Sequence, residues 1–149
     1  MLGKGNYTKK ITDDQLLDTI TKNTIDLFGS GWLKNIIHNE KHYGFKDTIN
    51  GLKTNSSKTV VIAAGPAFKQ SMRENLEEIM KHRDDVTIVA CDGAMPTLAT
   101  FDCVPDFVVS VDPQEIIANF YKKSRNILNS NVTALLATST DPHVVEVCI

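Results

Sequence analysis

Four apolar runs rich in valine and isoleucine punctuate the chain from residue 59 onward, each closed by glycine, proline or an acidic residue within a few positions. The first, TVVIAA at 59–64, has no polar residue from Val60 to Ala64 and stops at Gly65-Pro66. Such a run predicts a strand buried on both faces, the pattern of a parallel sheet covered by helices. VTIVAC at 86–91, FVVSV at 107–111 and VTALLAT at 132–138 predict three more strands. The spacing between them changes to the helical period. Ser71 and Glu74 stand in a capping-box relation ahead of Leu76, Ile79 and Met80, which predicts a helix over 71–82. Ile116, Ile117, Phe120 and Tyr121 share one side of 113–123, with Pro113 in the first turn. Asp141-Pro142 starts a last helix, which is short. Alternating strands and helices imply right-handed parallel crossovers and an α/β fold: an open, doubly wound parallel sheet with helices on both faces.

The region before residue 58 has a different rhythm. Thr12 and Asp13 can cap a helix carrying Leu16, Leu17, Ile20, Leu27 and Phe28, which Gly29-Ser30-Gly31 is expected to end. A second amphipathic stretch runs from Trp32 to about Tyr43, a third spans 45–52, and the polar run 53–58 reads as a boundary. The expected organisation is a helical segment at 1–57, serving packing, and a sheet domain at 58–149. The shortness of the final helix implies that the sheet domain is incomplete at its carboxyl end and that the sequence is a fragment of a longer protein.

Composition narrows the function classes. With 149 residues the chain is long enough for one domain with an appendage, and a net charge of −2 without a basic stripe argues against a nucleic-acid partner. No segment reaches the length of a membrane span and no secretory signal precedes the first helix, so a cytoplasmic protein is expected. Cys91, Cys103 and Cys148 lack metal or disulfide spacing and suit reduced thiols.

Chemistry concentrates where the strands end. In an open parallel sheet the carboxyl ends of the strands lie along one edge, where ligands bind at a reversal of strand order. The chain places Gly65, Pro66 and Ala67 after the first strand, Asp92, Gly93 and Ala94 after the second, and Asp112, Pro113 and Gln114 after the third. A glycine loop leading into a helix offers backbone amides to an anion. Asp92 or Asp112 could then hold a ribose hydroxyl or a phosphate-bound metal, or accept a proton; the alternative is that both only cap the following helices. Asp106 is expected to fix the turn into the third strand. His38 and His42, four apart, lack a third metal ligand and read as a solvated face. His143 is assigned to helix-capping surroundings and Cys91 to packing. Neither G-x-S-x-G nor G-x-G-x-x-G is present, which disfavours a serine hydrolase and an NAD-dependent dehydrogenase.

The ordered motifs VVIAAGPAF, VACDGAMPTL, VPDFVVSVDPQ and NFYKK resemble the central domain shared by bacterial motility accessory factors and archaeal 6-hydroxymethylpterin diphosphokinases, from Lys58 onward. The resemblance implies a Rossmann-like fold related to that of bacterial sialyltransferases, of which 58–149 would be the first part. One branch implies transfer of a nonulosonic acid from a CMP donor to serine or threonine of flagellin; the other implies transfer of diphosphate from ATP to a hydroxymethyl group, with magnesium. Ser110-Val111-Asp112-Pro113-Gln114 resembles the S-L-D-P-Q of the motility factors more than the T-D-L-D-G of the pterin enzymes. The glycosyltransferase is therefore the expectation, the diphosphokinase the alternative, and a non-catalytic binding module the third reading. On this resemblance Gly65, Pro66 and Ala67 form the donor phosphate loop, Asp92, Gly93, Ala94, Pro113 and Gln114 border the nucleotide, and Asp112 acts as base or sugar-hydroxyl contact. Ala67-Phe68 stands where the family usually has Ser-Leu, which removes one hydroxyl contact. Magnesium enters only with the diphosphokinase.

Overall fold

The computed structural model describes residues 12–44, 49–54, 56–128 and 131–149. They fall into two compact units, one ending at Ser30 and the other running from Gly31 to Ile149, so the larger unit begins well before residue 58.

The described part of the first unit is the start of helix α1 (Asp13–His42). Thr12 caps it reciprocally: its Oγ1 accepts from the Gln15 amide and its own amide donates to Gln15 Oε1, both at 3.3 Å. The expected break at Gly29-Ser30-Gly31 does not occur, and α1 continues through it. Each helical glycine costs roughly 1 kcal/mol relative to alanine, too little to stop a helix whose later residues are anchored by tertiary bonds. Leu16, Leu17, Ile20, Ile25 and Leu27 are exposed rather than turned to a core. Of the third amphipathic stretch, 45–48 lies outside the described residues, and Ile49–Gly51 form one 3-10 turn.

The second unit holds the sheet. Strands β1 (Lys58–Ile62), β2 (Val86–Cys91), β3 (Phe107–Ser110) and β4 (Thr133–Leu136) are all parallel and lie in chain order, β1-β2-β3-β4. Val60 pairs with Ile88, Ile62 with Ala90, Ala90 with Val108, and Val108 with Ala134. Because paired residues share a face, these positions make one continuous apolar surface. Helices α2 (Phe68–Lys81), α3 (Met95–Ala99), α4 (Ala118–Lys123) and α5 (Pro142–Cys148) join its core through Met72, Met95, Leu98, Ala118, Tyr121 and Val144.

The open parallel α/β sheet behind a helical stretch is the expected architecture, but the crossover helices gather on one face. Right-handed connections between strands laid down in one direction all pass over the same side. Strand β1 is accordingly half-covered, not buried on both faces: Ile62 is buried and Val61 is 74% exposed. On the opposite side, His42, Tyr43, Ile49 and Leu52 border a cavity of about 1000 Å³ over Val109 and Leu135.

Helix α2 starts at Phe68, not Ser71, with Ala67 as its cap and no capping box. Pro66 presets a turn closed by the Phe68 amide on the Gly65 carbonyl at 3.0 Å, so the helix nucleates three residues early and Glu74 instead accepts from Gln70. A helix after the second strand is expected from the alternation, but its bounds at Met95–Ala99 are not, since five residues are too few to display a period. Helix α4 follows a 3-10 turn at Glu115–Ile117, leaving Pro113 outside it. Asp141 caps α5 as expected, accepting from the His143 amide at 2.9 Å, and buried Val144 ties this short helix to the core.

Candidate functional site

Strand ends β1 to β3 meet along one edge as anticipated, although the chain-order sheet has no reversal of strand order among its four strands. The first two loops touch. The Ala64 amide donates to Cys91 Sγ at 3.2 Å, and a Cβ on Gly93 would fall 3.1 Å from that of Ala64. A side chain at Gly93 would therefore need Ala64 to give way by a few tenths of an ångström. Gly65 is different: a Cβ there would meet nothing within 4 Å. Gly65, Pro66 and Ala67 form the exposed turn into α2, and among the described residues no side chain accepts from the amides of the helix's first turn.

Asp92 ties the second strand to the third. Its Oδ1 accepts from the Gly93 amide at 2.6 Å and its Oδ2 from the Ser110 hydroxyl at 2.5 Å. Ser110 is buried, and the fully buried Tyr121 lies behind it. Among the described residues the Tyr121 hydroxyl meets hydrogen-bond geometry with no partner, although Ser110 is near enough to act on it. Burial is the main cause holding this phenol above its ordinary range; Cys148, Asp92 and Cys91 add to the shift and Ser110 opposes it. Asp112 turns its own loop, Oδ1 accepting from the Gln114 amide at 2.9 Å. Neither aspartate caps an α-helix: the caps of α3 and α4 are Ala94 and Ile117, without side-chain bonds. No cationic side chain forms an ion pair with Asp92 or Asp112 among the described residues.

The fourth strand end joins this row, which the sequence did not reveal. The Ala137 amide and the Thr140 hydroxyl both donate to the Ser110 carbonyl, at 2.9 and 3.0 Å. Asn35 and Asn39 reach the same loops from α1. Asparagine four residues before asparagine in a helix was the available signal, and it has no standard meaning.

The remaining candidates lie elsewhere. Asp106 fixes its turn at the amino edge of the sheet, with Oδ2 on the Ile88 amide at 2.7 Å and Oδ1 on Arg83 at 2.8 Å. The His38 and His42 rings stack at 4.3 Å, and no group of three metal-ligating side chains occurs among the described residues. His143 is exposed, its Nδ1 2.8 Å from Asp141 Oδ1, and that bond raises its pKa. A second cavity, of about 630 Å³, lies at the amino edge beside Arg83 and Asp106, away from the loop row. No described helix is long and apolar enough to cross a membrane.

The family model described as 6-hydroxymethylpterin diphosphokinase MptE-like matches residues 30–148. This chain belongs to the MptE-like family. The match takes in the whole Rossmann-like sheet and the later part of α1, and its start coincides with that of the larger compact unit. An uncharacterized protein of Treponema pallidum (strain Nichols) is 36% identical over 90 residues, which are 60% of this chain and 40% of the relative. The MptE-like chain therefore spans about 40% of the length of the curated relative it matches. No solved structure matches it.

Proposed function

We propose that this chain is the nucleotide-binding part of a transferase, and that its reaction is diphosphate transfer from a nucleoside triphosphate to the hydroxymethyl group of a pterin, as the family description names it. The observation that carries the reading is the pair Asp92 and Asp112 at neighbouring strand ends, beside a turn into α2; among the described residues the pair has no ion-pair partner and the helix amides have no side-chain acceptor. Phosphate oxygens suit those amides.

In this reaction the hydroxymethyl oxygen attacks the β-phosphorus, the bond from that phosphorus to the bridging oxygen breaks, and the nucleoside monophosphate leaves with the electron pair. The hydroxyl proton passes to a carboxylate, and Asp112 is the candidate acceptor. The donor set fits magnesium: this ion takes one or two carboxylates together with substrate phosphates, and each carboxylate oxygen can accept more than one bond. Asp92 would hold it together with the substrate phosphates, leaving Asp112 free to take the proton. When bound, it supplies neutralisation of phosphate charge.

One observation favours a second reading. The third strand presents Ser110 where the pterin-type motif has a carboxylate, and its hydroxyl is already donated to Asp92. A site poorer in acid fits metal-independent glycosyl transfer from a CMP-nonulosonic acid to an acceptor such as flagellin. Thermal denaturation with about 5 mM ligand separates the two, a concentration about a hundredfold above a Kd of about 50 μM and worth about 2.7 kcal/mol. Stabilisation by ATP with magnesium supports diphosphate transfer, and stabilisation by CMP without metal supports glycosyl transfer. If no nucleotide stabilises the chain, both fail and the non-catalytic module is left.

A further inference from the structure

Two asparagines on α1 have a role that their sequence does not advertise. Asn35 and Asn39 lie four residues apart, so both project from one stripe of the helix. Both are nearly buried, at 7% and 6% exposure. Asn35 Nδ2 donates to the Pro113 carbonyl and the Ser139 carbonyl, each at 3.1 Å. Asn39 Nδ2 donates to the Thr138 carbonyl at 3.0 Å and the Thr140 carbonyl at 2.8 Å. A carboxamide nitrogen has two hydrogens, and each residue uses both on the loops that follow β3 and β4.

These bonds lead to the two aspartates. The Pro113 carbonyl and the Gln114 amide belong to one planar peptide and point in opposite directions. Asn35 holds the oxygen of that peptide while Asp112 Oδ1 accepts its N–H, so Asn35 sets the plane on which the Asp112 carboxylate rests. From Asn39 the route is longer. Thr140 receives Asn39 on its carbonyl and gives its hydroxyl to the Ser110 carbonyl; Ser110 in turn gives its hydroxyl to Asp92 Oδ2. Four carbonyls around the amides also fix their orientation, because a flipped amide would set oxygen against oxygen. Asn39 Oδ1 is left buried without a partner, a cost that an apolar residue would avoid and that only the donor bonds offset.

We infer that Asn35 and Asn39 are positioning residues of the carboxyl-edge site, through which α1 orients Asp112 and Asp92. The loop-holding half of this inference stands alone, and the ligand-affinity half rests on the nucleotide reading above.

The test uses the full chain with Asn35→Asp and Asn39→Asp, which keep the shape and replace a donor by an acceptor. Asn35→Ser and Asn39→Ser, with one donor each, serve as milder variants that stay folded if the first pair does not. Hydrogen exchange followed by mass spectrometry is expected to speed up at least tenfold in peptides covering 111–114 and 137–141, with 58–81 changing less than twofold. Serine should give an intermediate effect. Unchanged exchange in both loops overturns the inference whatever the chain binds. Calorimetric titration with magnesium-ATP and with CMP, at a temperature where each variant is folded, is expected to show at least tenfold weaker binding of whichever nucleotide binds the unmodified chain. A Kd within twofold overturns the positioning role, because a merely structural bond lowers stability without changing the affinity of the folded state. If the unmodified chain binds neither nucleotide, the nucleotide reading fails and the exchange result alone decides whether the asparagines hold the loops.

Discussion

Asp106 and Asp92 occupy opposite edges of the same sheet, and both use two carboxylate oxygens to hold backbone or side chain in place. Their partners differ. Asp106 faces a guanidinium and a strand amide; burial alone would raise its pKa, but the bonds from Arg83 and Ile88 outweigh it and hold the carboxyl below its ordinary value. Asp92 faces a hydroxyl and an amide, both neutral. The amino edge is thus closed electrostatically by its own residues, whereas the carboxyl edge carries two aspartates with no ion-pair partner among the described residues. A ligand that brings its own cation suits the second edge and not the first.

The largest effect expected from breaking this contrast is at the closed edge. Asp106→Ala leaves Arg83 and the Ile88 amide without their acceptor and should cost about 2–3 kcal/mol in urea denaturation. Nucleotide-induced stabilisation should persist. Next, Gly93→Ala presses on Ala64 in the first loop and should cost about 1 kcal/mol. Gly65→Ala, in open space, should stay within about 0.5 kcal/mol by the same measurement.

A pH series sharpens the comparison further. Because the Asp106 pKa is lowered on folding, its contribution is present above the unfolded value of about 3.9 and is lost as pH falls through the folded value. The midpoint of thermal unfolding should therefore drop more steeply below about pH 4 in the unmodified chain than in Asp106→Asn. Asp112→Asn should change stability by less than about 0.5 kcal/mol while abolishing the nucleotide-induced shift in Tm. The smallest effect belongs to His143. Its pKa is raised by the Asp141 bond, so any stabilisation is present below the unfolded value of about 6.5 and disappears as pH rises through the folded one. His143→Ala should flatten that slope in Tm between pH 5.5 and 8.

Much of the sheet was legible because its signals are local. Val86–Cys91 is a continuous apolar run and forms the strand expected, and Asp141-Pro142 caps α5 with its own side chain. The three strand-end loops were legible for the same reason. What escaped reading depends on neighbours. Val61 and Ile62 are equally apolar, and only the shared side of the crossovers decides that one is exposed and the other buried. The capping box at Ser71 and Glu74 was displaced by the Gly65–Phe68 turn, a competition within a few residues. Asn35 and Asn39 carry no local signal because their four acceptors lie far along the chain, on loops whose placement the local sequence does not encode.

The strict chain order of the four strands also has a kinetic meaning. Every strand pairs with the one made just before it, so each pairing closes over a single crossover, and no strand must be inserted between two that are already joined. Loop-closure entropy rises with loop length, so a pairing across one crossover costs less to close than one across two. The strands can therefore join in the order in which they are made, each on the edge opposite β1. The Asn39 bonds need the chain through Thr140 to have been made, since both acceptors lie in the loop that follows β4.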